Sequence, residues 1–155
     1  MEIERKYLVD HKKVPALVEG YSGKELVQGY LAIDENGKEV RVRKSGATCT
    51  LTVKSGKGMV REETEIEISE DQFEALIGAT GDLKLQKTRY KIPLDGVTAE
   101  VDVYRGKLEG LAVVEVEFES EEAASVFVKP EWFGEEKTND SSLKNAALAL
   151  QNNKG

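Results

Sequence analysis

At 155 residues and 33% charged, the chain has the size of one domain with a real core, and residues 1–155 are read as one unit. A net charge of -7 argues against a non-specific nucleic-acid binder, though a local basic patch can still take an anionic ligand. The single cysteine, Cys49, excludes an internal disulfide and makes a cysteine-based metal site a poor expectation. No apolar run approaches ~18 residues and the charged N-terminus lacks a signal-peptide core, so no membrane span and a cytoplasmic location are expected.

The chain opens with Glu2-Ile3-Glu4-Arg5-Lys6-Tyr7. As a strand, this puts Glu2, Glu4 and Lys6 on one face, with neighbours ~6.5–7 Å apart. Such a row suits a hard divalent cation with an anion beside it, and it equally suits a solvated surface. His11 to Gly20 reads as a short helix or turn limited by Pro15. A second strand spans Glu25 to Ile33, and Asn36-Gly37 marks a hairpin. Lys38 to Lys44 follows, with Arg41 and Arg43 opposite Val40 and Val42. Thr48 to Lys54 alternates again, then Ser55 to Gly58 is a loop.

Met59 to Ile68 carries Arg61, Glu63, Glu65 and Glu67 on one face. Ser69 and Gln72 form a capping box that opens a helix with Phe73, Leu76 and Ile77 as its stripe. Leu83 to Leu94 carries Lys87, Arg89 and Lys91, and Asp95-Gly96 is another hairpin. Val97 to Tyr104 sets Glu100 and Asp102 against Val101 and Val103. Leu111 to Phe118 sets Glu115 and Glu117 against Val114 and Val116. Helices are predicted over Ser120–Val128 and Asp140–Gln151, the latter with Leu143, Ala147, Leu148 and Leu150 apolar.

Eight strands joined by short turns predict an antiparallel barrel or sandwich, α+β and mainly β. Periodicity leaves open which face points inward. With apolar residues inside, every charged row is surface. With charge inside, three helical segments remain to cover an apolar outer face. Rows of one sign, such as Arg41 with Arg43, repel unless an opposite charge lies between them. Arg and Lys suit phosphate oxygens, and carboxylates suit Mg²⁺ or Mn²⁺ that also touches phosphate. Together the two signs describe a site for a metal-bound polyphosphate.

The start Glu2-Ile3-Glu4-Arg5-Lys6 resembles the Glu-x-Glu-x-Lys signature of the CYTH domain, the triphosphate tunnel metalloenzymes. The resemblance continues through Gln28-Gly29-Tyr30-Leu31, Val40 to Arg43, Thr52-Val53-Lys54, Glu63 to Glu67, Lys87 to Tyr90, Asp102 and Val114 to Glu117. It implies an eight-stranded antiparallel tunnel with charge inside and helices packed outside. It also implies metal-binding carboxylates at Glu2, Glu4 and Glu117, with Glu115 and Asp102 counted beside them, and a catalytic pair in Glu4 and Lys6. The phosphate lining it implies is Arg41, Arg43, Lys54, Arg61, Lys87 and Arg89. Tyr30 either faces the tunnel or packs in its wall.

One stretch departs from the pattern. Short bacterial members carry Thr-x-Asp-x-Arg-Tyr-x-Asn before the last helix. Thr138, Asp140 and Asn145 are kept here, but Ser142 and Leu143 replace Arg and Tyr, which leaves Lys137 or Lys144 as substitutes. The implied reaction is Mg²⁺- or Mn²⁺-dependent hydrolysis of a small-molecule triphosphate, inorganic tripolyphosphate foremost. The alternatives are a class IV-type adenylyl cyclase, a nucleoside or thiamine triphosphatase, and a non-catalytic polyphosphate-binding module. The preferred metal and the oligomeric state, homodimer included, are left open.

Overall fold

A computed structural model describes residues 1–56 and 59–154. The alternating stretches form β1 (Glu2–Leu8), β2 (Lys24–Ile33), β3 (Glu39–Ser45), β4 (Thr48–Ser55), β5 (Val60–Ile68), β6 (Lys84–Pro93), β7 (Thr98–Tyr104) and β8 (Ala112–Glu117). They close into a barrel in the order β1-β5-β4-β3-β2-β6-β7-β8, with β8 returning to β1. Every neighbouring pair is antiparallel. Tight turns make this connectivity cheap: at Asn36-Gly37 the glycine takes φ +87°, which a side chain would resist. Lys57 and Gly58, in the predicted loop, lie outside the described residues.

Directly opposed residues of an antiparallel pair share a face. Glu4 faces Glu117, Lys6 faces Glu115, and Arg89 faces Asp102, so the charged rows all point inward. The apolar faces point outward and are covered. Ile3, Tyr7, Val101, Val114 and Val116 pack with Val14, Phe118, Ala124 and Phe133. Their covers are α1 (Val14–Leu17) and α3 (Glu121–Val126) with the segment around Phe133. On the other side, α2 (Glu70–Ala79) lays Phe73 against Val42 and Cys49. The Ser69 capping box that starts α2 is formed as the sequence predicts.

The other helical stretches fall where they are predicted, α3 capped by Ser120 included, with local differences in form. The stretch after β1 is a 3-10 turn, His11–Lys13, running into α1, because Pro15 near the helix start is followed by too few residues before Gly20. Asp140–Gln151 is instead a 3-10 turn, Ser141–Leu143, followed by α4 (Asn145–Lys154). Leu150 lies outside the residues whose side chains are described.

The placement of α4 also corrects the expectation that all helices pack outside. Ala146, Leu148 and Ala149 pack against Tyr30, Leu85, Tyr104 and Val113, which share the inward parity of Arg41, Gln28, Lys87 and Asp102. This helix therefore fills one end of the barrel with apolar side chains. Among the described residues no helix is long and apolar enough to cross a membrane.

The ring is closed unevenly. β1 pairs with β8 over Glu4–Leu8 but, among the described residues, with β5 at Glu2 and Ile3, extended by Glu4 N to Met59 O (3.1 Å). The rest of that edge is taken by residues 134–138, through Gly134 N to Leu8 O (2.7 Å), Leu8 N to Glu135 O (2.9 Å) and Lys137 N to Lys6 O (2.7 Å). A Cβ on Gly134 would sit 2.7 Å from Leu8 O, so only glycine lets the two backbones approach this closely.

Candidate active site

The barrel interior beyond α4 is a charged cavity. Its lining includes Glu2, Glu4 and Lys6 from β1, Arg41 and Arg43 from β3, Lys54 from β4 and Arg61 from β5. Arg89 from β6 and Glu115 and Glu117 from β8 complete the expected set. Rows that are far apart in sequence thus converge on one chamber. Three expected residues do not line it. Tyr30 faces inward but is sealed under α4, where its hydroxyl accepts from Gln28 Nε2 (2.9 Å). Lys87 and Asp102 also face inward but are fully buried beneath the chamber, bonded to each other at 2.7 Å. Asp102 also takes both Arg89 Nε (2.7 Å) and Arg89 Nη2 (2.9 Å). With its oxygens held this way, Asp102 is a partner of cations rather than a carboxylate open to the chamber.

Acidic residues crowd the β1 and β8 side. Burial, then the charges of Glu115 and Glu2, push Glu4 up to about 9. Burial and a hydrogen bond with Glu2 push Glu63 up to about 7. Glu115 stays well below the usual range despite its burial, because Lys6, Arg89 and Lys87 hold it ionised. Glu2 is likewise lowered against its burial, by its bond to Glu63 and by Lys54, whose Nζ lies 3.1 Å away. Glu2 and Glu115 are thus pulled down while their neighbours Glu63 and Glu4 are pushed up.

Basic residues crowd the opposite side. Burial, then the charges of Arg41 and Arg89, pull Arg43 down to about 10. Arg43 Nε donates to Gln28 Oε1 (3.1 Å). Among the described residues, Arg41 Nε and Arg61 Nε and Nη2 are buried without a hydrogen-bond acceptor. Glu39 lies 3.5 Å from Arg61 Nη2. Buried guanidinium donors without acceptors are expensive unless an anion supplies oxygens.

Lys6 joins the two sides. Its Nζ lies 3.2 Å from Glu115 Oε1 and donates to Leu143 O (2.9 Å). Its backbone N donates to Thr138 Oγ1 (3.0 Å). The segment carrying the altered Thr-x-Asp pattern thus lies against Lys6, and it adds Lys137, Thr138, Asp140, Lys144 and Asn145 to the lining. Both candidate substitutes for the arginine expected at 142 therefore reach the chamber. Glu39, Glu63 and Glu100 also line it, unselected by sequence reasoning. Their signal was parity: each is two residues from, or opposite, a selected side chain.

The family resemblance implies a divalent metal, and the donor chemistry fits one. Glu2, Glu4, Glu115 and Glu117 are hard oxygen donors, and the charges of Glu115 and Glu2 help push Glu4 toward its protonated form. A divalent cation can replace that proton, releasing it on binding. Among the described residues, however, no three acidic groups are gathered into a ready coordination shell.

The sequence matches the CYTH domain family over residues 1–145. An inorganic triphosphatase from Nitrosomonas europaea is 46% identical over 157 residues, covering 96% of this chain and 97% of that protein. One from Acetivibrio thermocellus is 36% identical over 149 residues, covering 95% and 92%. The crystal structure of an inorganic triphosphatase matches with a TM-score of 0.70 at 44% identity, covering 97% of this chain and 95% of that one. A Hippeastrum protein described as an adenylyl cyclase with a dominant triphosphatase activity has a TM-score of 0.62 at 17% identity, over 81% and 83% of the two chains, and shares the fold alone. The inward signature row on β1, the charged chamber and these matches agree: the chain belongs to the CYTH domain family.

Proposed function

We propose that this protein is a divalent-metal-dependent triphosphatase whose substrate is inorganic tripolyphosphate. The observation that carries the reading is the pair of like-charged clusters facing each other in one chamber. The charges of Arg41 and Arg89 help pull Arg43 down to about 10, and those of Glu115 and Glu2 help push Glu4 up to about 9. A polyphosphate with a bound cation supplies the missing opposite charge to both. The names of the relatives at 46% and 36% identity support the same substrate.

In the reaction, a water oxygen bonds to a phosphorus atom while a bridging P–O bond breaks. The products are orthophosphate and pyrophosphate. Such a transfer needs positioning and charge neutralisation more than covalent help. Arg41, Arg43, Arg61 and Arg89 donate to non-bridging oxygens and fix the chain. Lys54 holds Glu2 in its ionised form. Lys6, tied to Glu115 and Leu143 O, is fixed where charge develops on the transferred group. Glu2, Glu4, Glu115 and Glu117 would hold Mg²⁺ or Mn²⁺, which polarises phosphate oxygens and acidifies water when bound.

A panel of tripolyphosphate, ATP and thiamine triphosphate, assayed with Mg²⁺ or Mn²⁺ and with a chelator, tests the proposal. Metal-dependent release of orthophosphate, fastest on tripolyphosphate, is the expected outcome. Cyclic AMP with pyrophosphate from ATP would make the protein a cyclase. Tight tripolyphosphate binding without turnover would make it a binding module.

A further inference from the structure

Beneath the chamber lies a buried group whose geometry is directed at a chamber residue. Asp102 on β7 directly faces Arg89 on β6 and is 1% exposed. It grips the guanidinium by two points, Nε to Oδ1 (2.7 Å) and Nη2 to Oδ2 (2.9 Å). A planar fork held at Nε and Nη2 has its direction fixed. The free corner, Nη1, lies 3.5 Å from Glu100 Oε2, which itself lines the chamber. Meanwhile the barrel wall at β7 is built by the opposite face, Val101 and Val103. An apolar residue at 102 would pack there without the penalty of a buried charge.

Lys87 completes the arrangement. Its ammonium donates to Asp102 Oδ2 (2.7 Å), sits 5.6 Å from the Tyr104 ring centroid and is 0% exposed. Asp102 is shared by two bases, and Arg89 is the one that reaches the chamber, with Glu100 3.5 Å from its Nη1.

Resting on the triphosphatase reading above, we propose that Asp102 is a positioning residue. It aims the Arg89 guanidinium at a substrate phosphate, and Lys87 shares the carboxylate and fixes its orientation from the far side. Asp102 touches no substrate itself.

The test is a double-mutant cycle on tripolyphosphate with excess Mg²⁺, reading KM and kcat separately, with Kd for tripolyphosphate by calorimetry. Asp102→Asn keeps the shape but turns an acceptor into a donor facing Lys87 and Arg89. It should raise KM and Kd roughly 10- to 100-fold, the range for a lost charged hydrogen bond. A merely structural role would lower the active fraction and hence kcat, leaving KM unchanged. Arg89→Ala should raise KM at least as far, and the Asp102→Asn/Arg89→Ala double variant should stay within about threefold of Arg89→Ala, because the two act as one unit. Arg89→Lys keeps the cation but loses the fork. It should behave within about threefold of Arg89→Ala, and it decides the matter if Asp102→Asn fails to fold. Native KM and Kd in Asp102→Asn, multiplying effects in the double variant, or native KM in Arg89→Lys would overturn the proposal. Absence of turnover in the native protein would overturn the triphosphatase reading instead, while Kd still decides the role of Asp102.

Discussion

The two sides of the chamber are built alike and charged oppositely. On β1 and β8, carboxylates press together until some keep their protons, as Glu4 does. On β3 and β6, the guanidinium groups of Arg41, Arg43 and Arg89 press together, and among the described residues Arg41 Nε is buried without an acceptor. Neither side is arranged for its own stability, since like charges in a low-dielectric interior are costly. Each is arranged for a missing counter-charge: a cation on one side, an anion on the other. The contrast teaches that strain of opposite sign on facing walls is itself a description of the ligand, a polyanion carrying a cation.

The largest expected effect comes from breaking the acidic side. Glu4→Gln should lower kcat by about 10³-fold or more, because an amide is a poor ligand for a hard cation. The metal-free variant should melt no lower than the native protein, since a glutamine amide can stand in for the protonated carboxyl that bonds to Glu115. Near-normal turnover at saturating Mg²⁺ would remove Glu4 from the metal site. Thermal melts with a chelator check the second half.

Next come the two kinds of cation. Lys6→Ala should lower kcat and kcat/KM together by about 10²- to 10³-fold, the mark of an interaction made in the transition state. Arg41→Ala should mainly raise KM, roughly 30- to 100-fold, because it holds phosphate throughout. Steady-state kinetics on tripolyphosphate separate the two. A Lys6→Ala variant changed only in KM would make Lys6 a binding residue.

The smallest effect concerns stability. Burial alone would raise the Asp102 pKa, but Lys87 and Arg89 outweigh it and hold the group down at about 2, below its ordinary 3.8. The contribution is therefore full above the ordinary value and is lost as pH falls through about 2. It is on the order of 2 kcal/mol. Urea melts of native protein and Asp102→Asn between about pH 5 and pH 2 should show this loss only in the native chain. Parallel loss in both would show that other carboxylates control acid unfolding.

Much of this was legible in the sequence. The strands fall within a residue or two of their predicted bounds, because alternation and the Asn36-Gly37 and Asp95-Gly96 turns are local signals. That the charged face points inward came from family resemblance, since period two is symmetric between faces. Depth was not legible. Lys87 and Arg89 share the inward face, yet Lys87 lies level with Tyr104 beneath the chamber while Arg89 reaches it. Nor was the site of α4 legible, because Ala146 and Leu148 look the same whether they meet the outside of a barrel or its end. Lys137 and Lys144 arrive through backbone pairing of 134–138 with β1, a contact between the two ends of the chain that no local pattern announces.

That pairing bears on how the protein is made. β1 has no extensive partner until β8, residues 112–117, and its other edge waits for residues 134–138. A ribosome therefore releases the signature strand first and its partners last. Long sequence separation between partners slows folding, and an unpaired strand is open to wrong pairings meanwhile. β2 to β5 can form as successive neighbours and β6 to β8 as another run, β2 meets β6 across the intervening strands, and β1 joins the two ends. Nascent chains ending before residue 112 should accordingly hold a sheet without a chamber, and hydrogen exchange during refolding should protect the amides of β3 and β4 well before those of Glu4 to Leu8.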